Sequence, residues 1–253
     1  MSKRVFITGG SGFIGTNLIH ALERHCEIEI CNFDKSVALE SEHERYRIAG
    51  DILDLEALAV AMATFAPDAV IHLAARTDCC EKATVEDGYR VNVEGTRNLI
   101  DAITLIRSVD RLVVASSQFV CGPGHLPQHD TDYAPHTVYG QSKVMTEQIT
   151  REAGLRCVWT IVRPTNVWGP YHGRYAREFW RVLDRGWYWQ PGGKTPTRSY
   201  AYVGNVVWQI ERLLGADREE IDGKVVYVGD RPLDIRLWIE GFHREITGRA
   251  RLR

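Results

Sequence analysis

The 253-residue chain is most informative first in what it lacks. None of its six cysteines (Cys26, Cys31, Cys79, Cys80, Cys121, Cys157) forms a C-x-x-C pair. Several lie inside apolar runs, where a reduced thiol behaves as a small hydrophobe, so neither a zinc site nor a disulfide framework is expected, and no metal ligand set is read from the sequence. No apolar stretch is long enough to span a bilayer, and Met1-Ser2-Lys3-Arg4 runs into a strand without a signal-peptide core. A cytoplasmic protein with no membrane partner is the expectation. A net charge of −2 and a pI near 6.5 provide no global attraction to nucleic acid or acidic lipid.

What is present begins with Thr8-Gly-Gly-Ser-Gly-Phe-Ile-Gly15, which follows the apolar run Val5-Phe6-Ile7 and opens an amphipathic one. This predicts a strand, a glycine turn and a helix start. Glycines at 10, 12 and 15 fit the dinucleotide-binding spacing, and glycines at 9, 12 and 15 fit a variant one residue wider. In either case a pyrophosphate would sit at the helix N-terminus, where free N–H groups and the dipole favour an anion. Short β-like runs at 4–8, 28–33, 46–49, 69–73, 111–115 and 157–162 alternate with helical patterns, which predicts a parallel sheet covered on both faces. The first helix is expected over about 13–25, another over about 86–106.

Asp34 ends the second strand 19 residues past Gly15, the place where this architecture grips the adenosine ribose. Asp51, after the third strand, is placed for the adenine, whereas Asp54 reads as a helix N-cap. Ala74 and Ala75 end the fourth strand with small side chains against which a flat cofactor can lie; His72 reads as a packed or hydrogen-bonded histidine. The strand 111–115 delivers Ser116 and Ser117. Tyr139 and Lys143, spaced i, i+4, then project from one face of a helix.

In this order the chain resembles the short-chain dehydrogenase/reductase superfamily, specifically its extended branch of nucleotide-sugar epimerases and dehydratases. The resemblance is carried by the glycine turn, Asp51, His72-Leu-Ala-Ala, Asn92-Val-Glu-Gly-Thr, Ser116-Ser117, Tyr139-Gly-Gln-Ser-Lys143, Arg163-Pro-Thr-Asn166-Val-Trp-Gly-Pro170 and Arg198-Ser-Tyr-Ala-Tyr-Val203. It implies Ser117 as the hydroxyl that bonds the reacting oxygen, Tyr139 as acid/base and Lys143 as holder of the nicotinamide ribose. Cofactor contacts are expected at Gly9, Gly12, Phe13, Ile14, Gly15, Asp34, Asp51, Ile52, Leu73, Ala74, Ala75, Asn92, Tyr139, Lys143 and Pro164. Substrate contacts are expected at Thr77, Gln118, Asn166 and Arg198. A phenol titrating near 10 needs its pKa lowered by about 3 units, roughly 4 kcal/mol, to act as a base at neutral pH. An ammonium at Lys143 and a positive nicotinamide ring are expected to supply it.

Between residues 151 and 200, nine Arg and Lys face three Asp and Glu, a local +6, and five of the seven tryptophans lie there. Basic residues among aromatics fit nucleic acid or, more simply, a pocket for one nucleotide diphosphate; Trp159 and Trp208 are expected in the core. Three positions depart from the family pattern: Ser199 replaces an Asp, Cys121 a Tyr, and Phe119 stands where some epimerases keep a sugar-binding hydroxyl. Gln118 and Phe119 also stand where related 4,6-dehydratases carry an Asp-Glu pair, so dehydratase chemistry is not expected.

The resulting expectation is an α/β, Rossmann-type doubly wound parallel sheet with a small C-terminal substrate-binding lobe. Residues 1–163 form the NAD-binding part, 200–214 pack back on it, and 164–199 with 215–253 form a lobe that reads as truncated. The expected function is NAD-dependent epimerisation of a nucleotide-diphosphate sugar, NADP being disfavoured by Asp34. The alternatives are a sugar dehydrogenase or ketoreductase, and a non-catalytic nucleotide sensor. The resemblance also implies a homodimer paired through helices at about 88–106 and 139–152, and Val91, Leu99, Ile103, Val144 and Ile149 cannot all face one core if both helices cover the sheet.

Overall fold

Strand β1 (Lys3–Thr8) is an inner strand of a seven-stranded sheet in the computed structural model, which describes residues 3–80, 82–189 and 196–248. Around it run β2 (Ile28–Asp34), β3 (Arg47–Ala49), β4 (Ala69–His72), β5 (Arg111–Ala115), β6 (Val158–Pro164) and, from later in the chain, a strand at Lys224–Val228. The strands pair in parallel in the order β3-β2-β1-β4-β5-β6 followed by Lys224–Val228. The sheet therefore reverses direction of growth between β1 and β4, the place where a doubly wound fold opens a crevice at its carboxyl edge.

Two-residue periodicity divides the strand side chains between two cores. Val5, Ile7, Ile71 and Val113 pack on one face against helix α1 (Phe13–Leu22) and against Val203–Gly215, a helix contributing Val206, Ile210 and Leu213. Phe6, Val70, Leu112 and Val114 pack on the other against α2 (Leu55–Phe65) and the Leu99–Ile103 stretch of a longer helix. Asp54 caps α2 as expected, its carboxylate accepting from Ala57 N at 3.0 Å. The helix expected over 86–106 is divided into α3 (Val85–Gly88) and α4 (Arg90–Leu105), and α5 (Val138–Glu152) lies alongside α4.

Beyond β6 the chain builds a lobe on the carboxyl edge. Its pieces are β7 (Asn166–Trp168), a π-helical turn at Tyr175–Trp180, α6 (Arg181–Asp184), β8 (Thr197–Arg198) and β9 (Tyr200–Tyr202), the last paired with β7. The helix Val203–Gly215 is α7; α8 (Arg218–Ile221) and β10 (Lys224–Val228) follow, then β11 (Leu233–Asp234), paired with β8, and α9 (Ile235–Thr247). The lobe has a core of its own: Leu183, Trp238 and Ile239 are buried among Trp168, Tyr175, Phe179, Trp180, Tyr200 and Phe242.

Two sequence expectations are corrected here. Residues 218–228, assigned to the lobe, extend the main sheet instead, because β10 pairs with β6 and Ile221 and Val228 join the α1/α7 core. Trp208 is not in the core but 59% exposed, since α7 turns Val203, Val206, Val207 and Ile210 inward and leaves position 208 outside. Parts of the expected lobe at 190–195 and 249–253 lie outside the described residues. Among the described residues, no helix is long and apolar enough to cross a membrane.

Candidate active site

The glycine turn is shaped by how closely β4 approaches it. Gly9 has φ +78°, and a Cβ there would lie 2.5 Å from Ala74 N, so only glycine fits against the end of the fourth strand. Gly12 begins α1 with no side-chain cap; a Cβ there would touch only Gly9 O at 3.3 Å and would otherwise enter the cleft. Asn32 and Asp34 brace the turn from β2, Asn32 Oδ1 accepting from Gly10 N at 2.9 Å and Asp34 Oδ2 from Ser11 N at 3.0 Å. Both glycine spacings read from the sequence thus have a counterpart, with Gly9 in the strained backbone position.

From this turn a cleft of about 1130 Å³ runs along the carboxyl edge to the lobe. Gly9, Gly12, Phe13, Ile14, Gly15, Asp34, Asp51, Ile52, Leu73, Ala74, Ala75 and Pro164 line it, together with Ser117, Tyr139, Lys143, Thr77 and Asn166. Three expected residues do not. Asn92 is buried behind the wall, where its side-chain amide bonds both backbone atoms of Arg76 and Ser142 Oγ, so it positions the wall. Gln118 opens a short 3-10 turn and Arg198 is exposed on β8; neither lines the cleft, and Phe119, Arg174, Tyr175 and Phe179 occupy its far end. Two of the five tryptophans between residues 151 and 200 pack in the lobe core rather than in the cleft: Trp168 and Trp180 each lie against Trp238.

Tyr139 and Lys143 are almost completely buried on α5. The Ser117 hydroxyl hydrogen-bonds the Tyr139 phenol, and Lys143 Nζ donates to Ala115 O at 2.7 Å, just before the serine pair. Burial pushes the phenol up to about 12, with the Ser117 bond pulling the other way, and brings the ammonium down to about 8 by desolvation, with Glu147 offsetting part. The chain alone therefore does not lower the phenol; the expectation joins Lys143 to the positive nicotinamide ring, and here the ammonium donates to a backbone carbonyl. His72 is buried and hydrogen-bonded, Nδ1 to Thr8 Oγ1 at 2.7 Å and Nε2 to Thr96 Oγ1 at 3.2 Å. Desolvation and the nearby Lys143 push it down to about 3, so it stays neutral.

Behind the serines lies a buried ion pair that the sequence reading missed. Arg163 donates through Nε and Nη2 to the two oxygens of Glu147, both at 2.8 Å, with the two side chains 1% and 0% exposed. The same carboxylate accepts from Ser116 Oγ at 2.5 Å and Tyr133 Oη at 3.0 Å. Arg163 also donates to Tyr227 Oη at 3.1 Å and to Asp130 O at 2.5 Å. This network joins β5, α5, β6 and β10 directly beneath the Ser117 backbone. The signal for it was the i, i+4 step continuing from Tyr139 and Lys143 to Glu147.

The profile of the NAD dependent epimerase/dehydratase family matches residues 5–229. The chain is 33% identical over 216 residues to N-acetyl-alpha-D-glucosaminyl-diphospho-ditrans,octacis-undecaprenol 4-epimerase of Escherichia coli O157:H7, covering 82% of this chain and 62% of that protein. It is 31% identical over 253 residues to 3 beta-hydroxysteroid dehydrogenase type 7 of Mus musculus, covering 89% and 68% respectively. Among solved structures, UDP-glucose 4-epimerase from Brucella ovis in complex with NAD superimposes with a TM-score of 0.76 at 25% identity, over 95% of this chain and 81% of that one. The chain spans about half to two thirds of the length of the curated relatives it matches. A seven-stranded parallel sheet, a glycine turn at its crevice and a profile match across nearly all of the sheet place this chain in the NAD dependent epimerase/dehydratase family.

Proposed function

We propose that the protein is an NAD-dependent epimerase of a diphosphate-linked sugar, a nucleoside diphosphate sugar in the first instance. The observation that carries this reading is one cleft holding both the glycine turn and the Ser117–Tyr139–Lys143 group. The residues fit the dinucleotide: the space beside Gly12 admits a pyrophosphate at the N-terminus of α1, and the Asp34 carboxylate edges the cleft at the end of β2. Phe13, Ile14, Ile52, Leu73, Ala74, Ala75 and Pro164 supply flat or small walls, and Lys143 is the residue to hold the ribose. When bound, the cofactor supplies a hydride acceptor and donor, and a positive ring when oxidised.

The protein's own part is proton management and alignment. Ser117 holds the reacting oxygen of the sugar by a hydrogen bond, and Tyr139 Oη takes its proton and later returns it. A buried phenol near 12 favours the neutral form, so the proton is taken only where positive charge lies alongside. Phe119 packs edge-on against Tyr139, with centroids 5.8 Å apart, and excludes water from that side. Neither Gln118 nor Phe119 can exchange a proton usefully near neutral pH, which disfavours dehydration. Thr77 and Asn166 lie on the cleft wall toward the lobe and are the candidates for substrate contact.

A second reading, a dehydrogenase with net turnover of the cofactor, draws support from the similarity to a hydroxysteroid dehydrogenase over 89% of the chain. Incubation with NAD and a panel of UDP- and dTDP-hexoses, followed by NMR of the sugar and absorbance of NADH, separates the two. Interconversion of epimers without accumulation of NADH is expected. Steady accumulation of NADH with a keto product would instead establish the dehydrogenase. Tyr139→Phe is expected to lower turnover by roughly 10²–10⁴-fold, about 3–5 kcal/mol, with NAD affinity nearly unchanged. Full activity in that variant would remove Tyr139 from the mechanism.

A further inference from the structure

Away from the cleft, on the outer side of α1, His20, Glu23 and His43 converge so that one ligand atom from each lies within 4.8 Å of the others. Glu23 Oε2 is 3.6 Å from His20 Nδ1 and 3.4 Å from His43 Nε2. Ligands about 2.0–2.1 Å from a tetrahedral ion are separated from one another by roughly 3.3–3.5 Å, so the His43–Glu23 distance matches an edge of such a site and the His20–Glu23 distance is slightly longer than one. We propose that His20, Glu23 and His43 bind one divalent transition-metal ion of the zinc class. Two imidazoles and a carboxylate suit zinc, cobalt or nickel, and are poor hosts for calcium or magnesium, which prefer oxygen ligands alone.

A second observation points to a ligand there. The His43 side chain is 1% exposed, yet Nδ1 has no hydrogen-bond partner and Nε2 faces only Glu23, the group proposed to share the ion with it. Buried imidazoles are normally satisfied, and a metal would occupy the Nε2 lone pair of this one. His20 and Glu23, 44% and 22% exposed, keep the site open to water on the other side.

The surroundings orient the ligands as metal sites require. His20 Nε2 lies 3.2 Å from Tyr171 Oη, and that hydroxyl hydrogen-bonds Glu40, so the Nε2–H tautomer leaves the Nδ1 lone pair facing Glu23. Arg45 Nη2 donates to Glu23 Oε1 at 2.8 Å and the Tyr46 hydroxyl bonds the same carboxylate, which together fix its orientation. Tyr171 has φ +69°, an unfavourable backbone conformation for a tyrosine, and Asn17 Nδ2 donates to Pro170 O at 3.1 Å. The ion would thus tie α1, the 41–46 turn and the lobe's 169–171 loop together. The cysteine pattern had suggested no metal site; this one arises from histidines 23 residues apart that only the fold brings together.

The test uses tag-free protein treated with chelator, then titrated with Co²⁺ and Zn²⁺. One equivalent of Co²⁺ is expected to give tetrahedral d–d absorption without thiolate-to-cobalt charge transfer, and Zn²⁺ to displace it. Saturating Zn²⁺ should raise Tm by roughly 5 °C. His20→Asn and Glu23→Gln, at partly exposed positions, should each weaken binding at least about 10-fold, whereas Cys79→Ser with Cys80→Ser should leave it unchanged. Unaltered affinity in His20→Asn, binding that follows the cysteines, or no binding up to about 1 mM metal would each overturn the proposal.

Discussion

Asp34 sits where one carboxylate can decide between two cofactors. Its oxygens accept from Ser11 N at 3.0 Å and Ser36 N at 2.9 Å, so it is held at the cleft edge with its charge in place. Lys35, the neighbour that might neutralise it, reaches instead toward Asp51 Oδ2 at 3.6 Å. A 2'-phosphate about 4 Å from Asp34 would meet up to about 4 kcal/mol of repulsion at an effective dielectric of 20. NAD is therefore expected to bind more tightly than NADP in a calorimetric titration, and Asp34→Ala to narrow the gap; tighter binding of NADP by the unaltered protein would refute this. A second residue, His72, makes stability depend on pH. Its folded pKa of about 3 lies below its ordinary 6.5, so the unfolded chain binds a proton that the folded one refuses. This contribution is whole above pH 6.5 and is lost as pH falls toward 3, reaching about 2–3 kcal/mol at pH 4.5. Urea unfolding at pH 7 and pH 4.5 should show His72→Asn losing less stability on acidification than the parent; equal losses would remove His72 from the account.

At the scale of elements, the parts that hold the site rigid are clamps between neighbours rather than single helices. α5 carries Tyr139, Lys143 and Glu147 on successive turns, so the helix that presents the phenol is also the one pinned to β6 by Arg163. Removing one member of a fully buried pair strands the other charge, at a cost of about 3–5 kcal/mol. Glu147→Ala should lower unfolding stability by that amount, as read in denaturant. Replacing Glu147 and Arg163 together by apolar residues of similar volume should recover most of it, since the desolvation penalty then disappears for both. If the single and double variants are equally unstable, the pair is not the unit that matters. Ser199 has a comparable local use: its hydroxyl contacts Thr165 Oγ1 at 3.0 Å and Asp230 O at 2.7 Å. The residue that departs from the family pattern thus joins β9 to the segment after β10.

Over the whole molecule, what could be read from the sequence was what repeats locally. Strands β1 to β6 showed through alternation and apolar runs, and the glycine turn through spacing, because both signals lie within a dozen residues. The Glu147–Arg163 pair and the His20–Glu23–His43 group did not, because their members meet only after α5 docks on β6 and the 41–46 turn folds over α1. Trp208 was misread because a large aromatic is usually inside, whereas its place on α7 is set by which face the sheet covers. Association is the property left to the outer surfaces. Leu99 and Ile103 are buried within the chain, so two of the five apolar residues expected to seek a partner are already covered. Val91 lines the cleft instead, whereas Val144 and Ile149 remain only partly covered on α5, which lies beside α4, and Leu105 near the end of α4 is 73% exposed. A two-fold arrangement placing these helices against their own copies would bury that strip with each residue used twice. Light scattering at micromolar concentration is expected to give twice the chain mass of 28.7 kDa. Ile149→Glu, which sets like charges near the axis, should give the single-chain mass without loss of helical circular dichroism. A single-chain mass for the unaltered protein would leave the α4–α5 surface without this role.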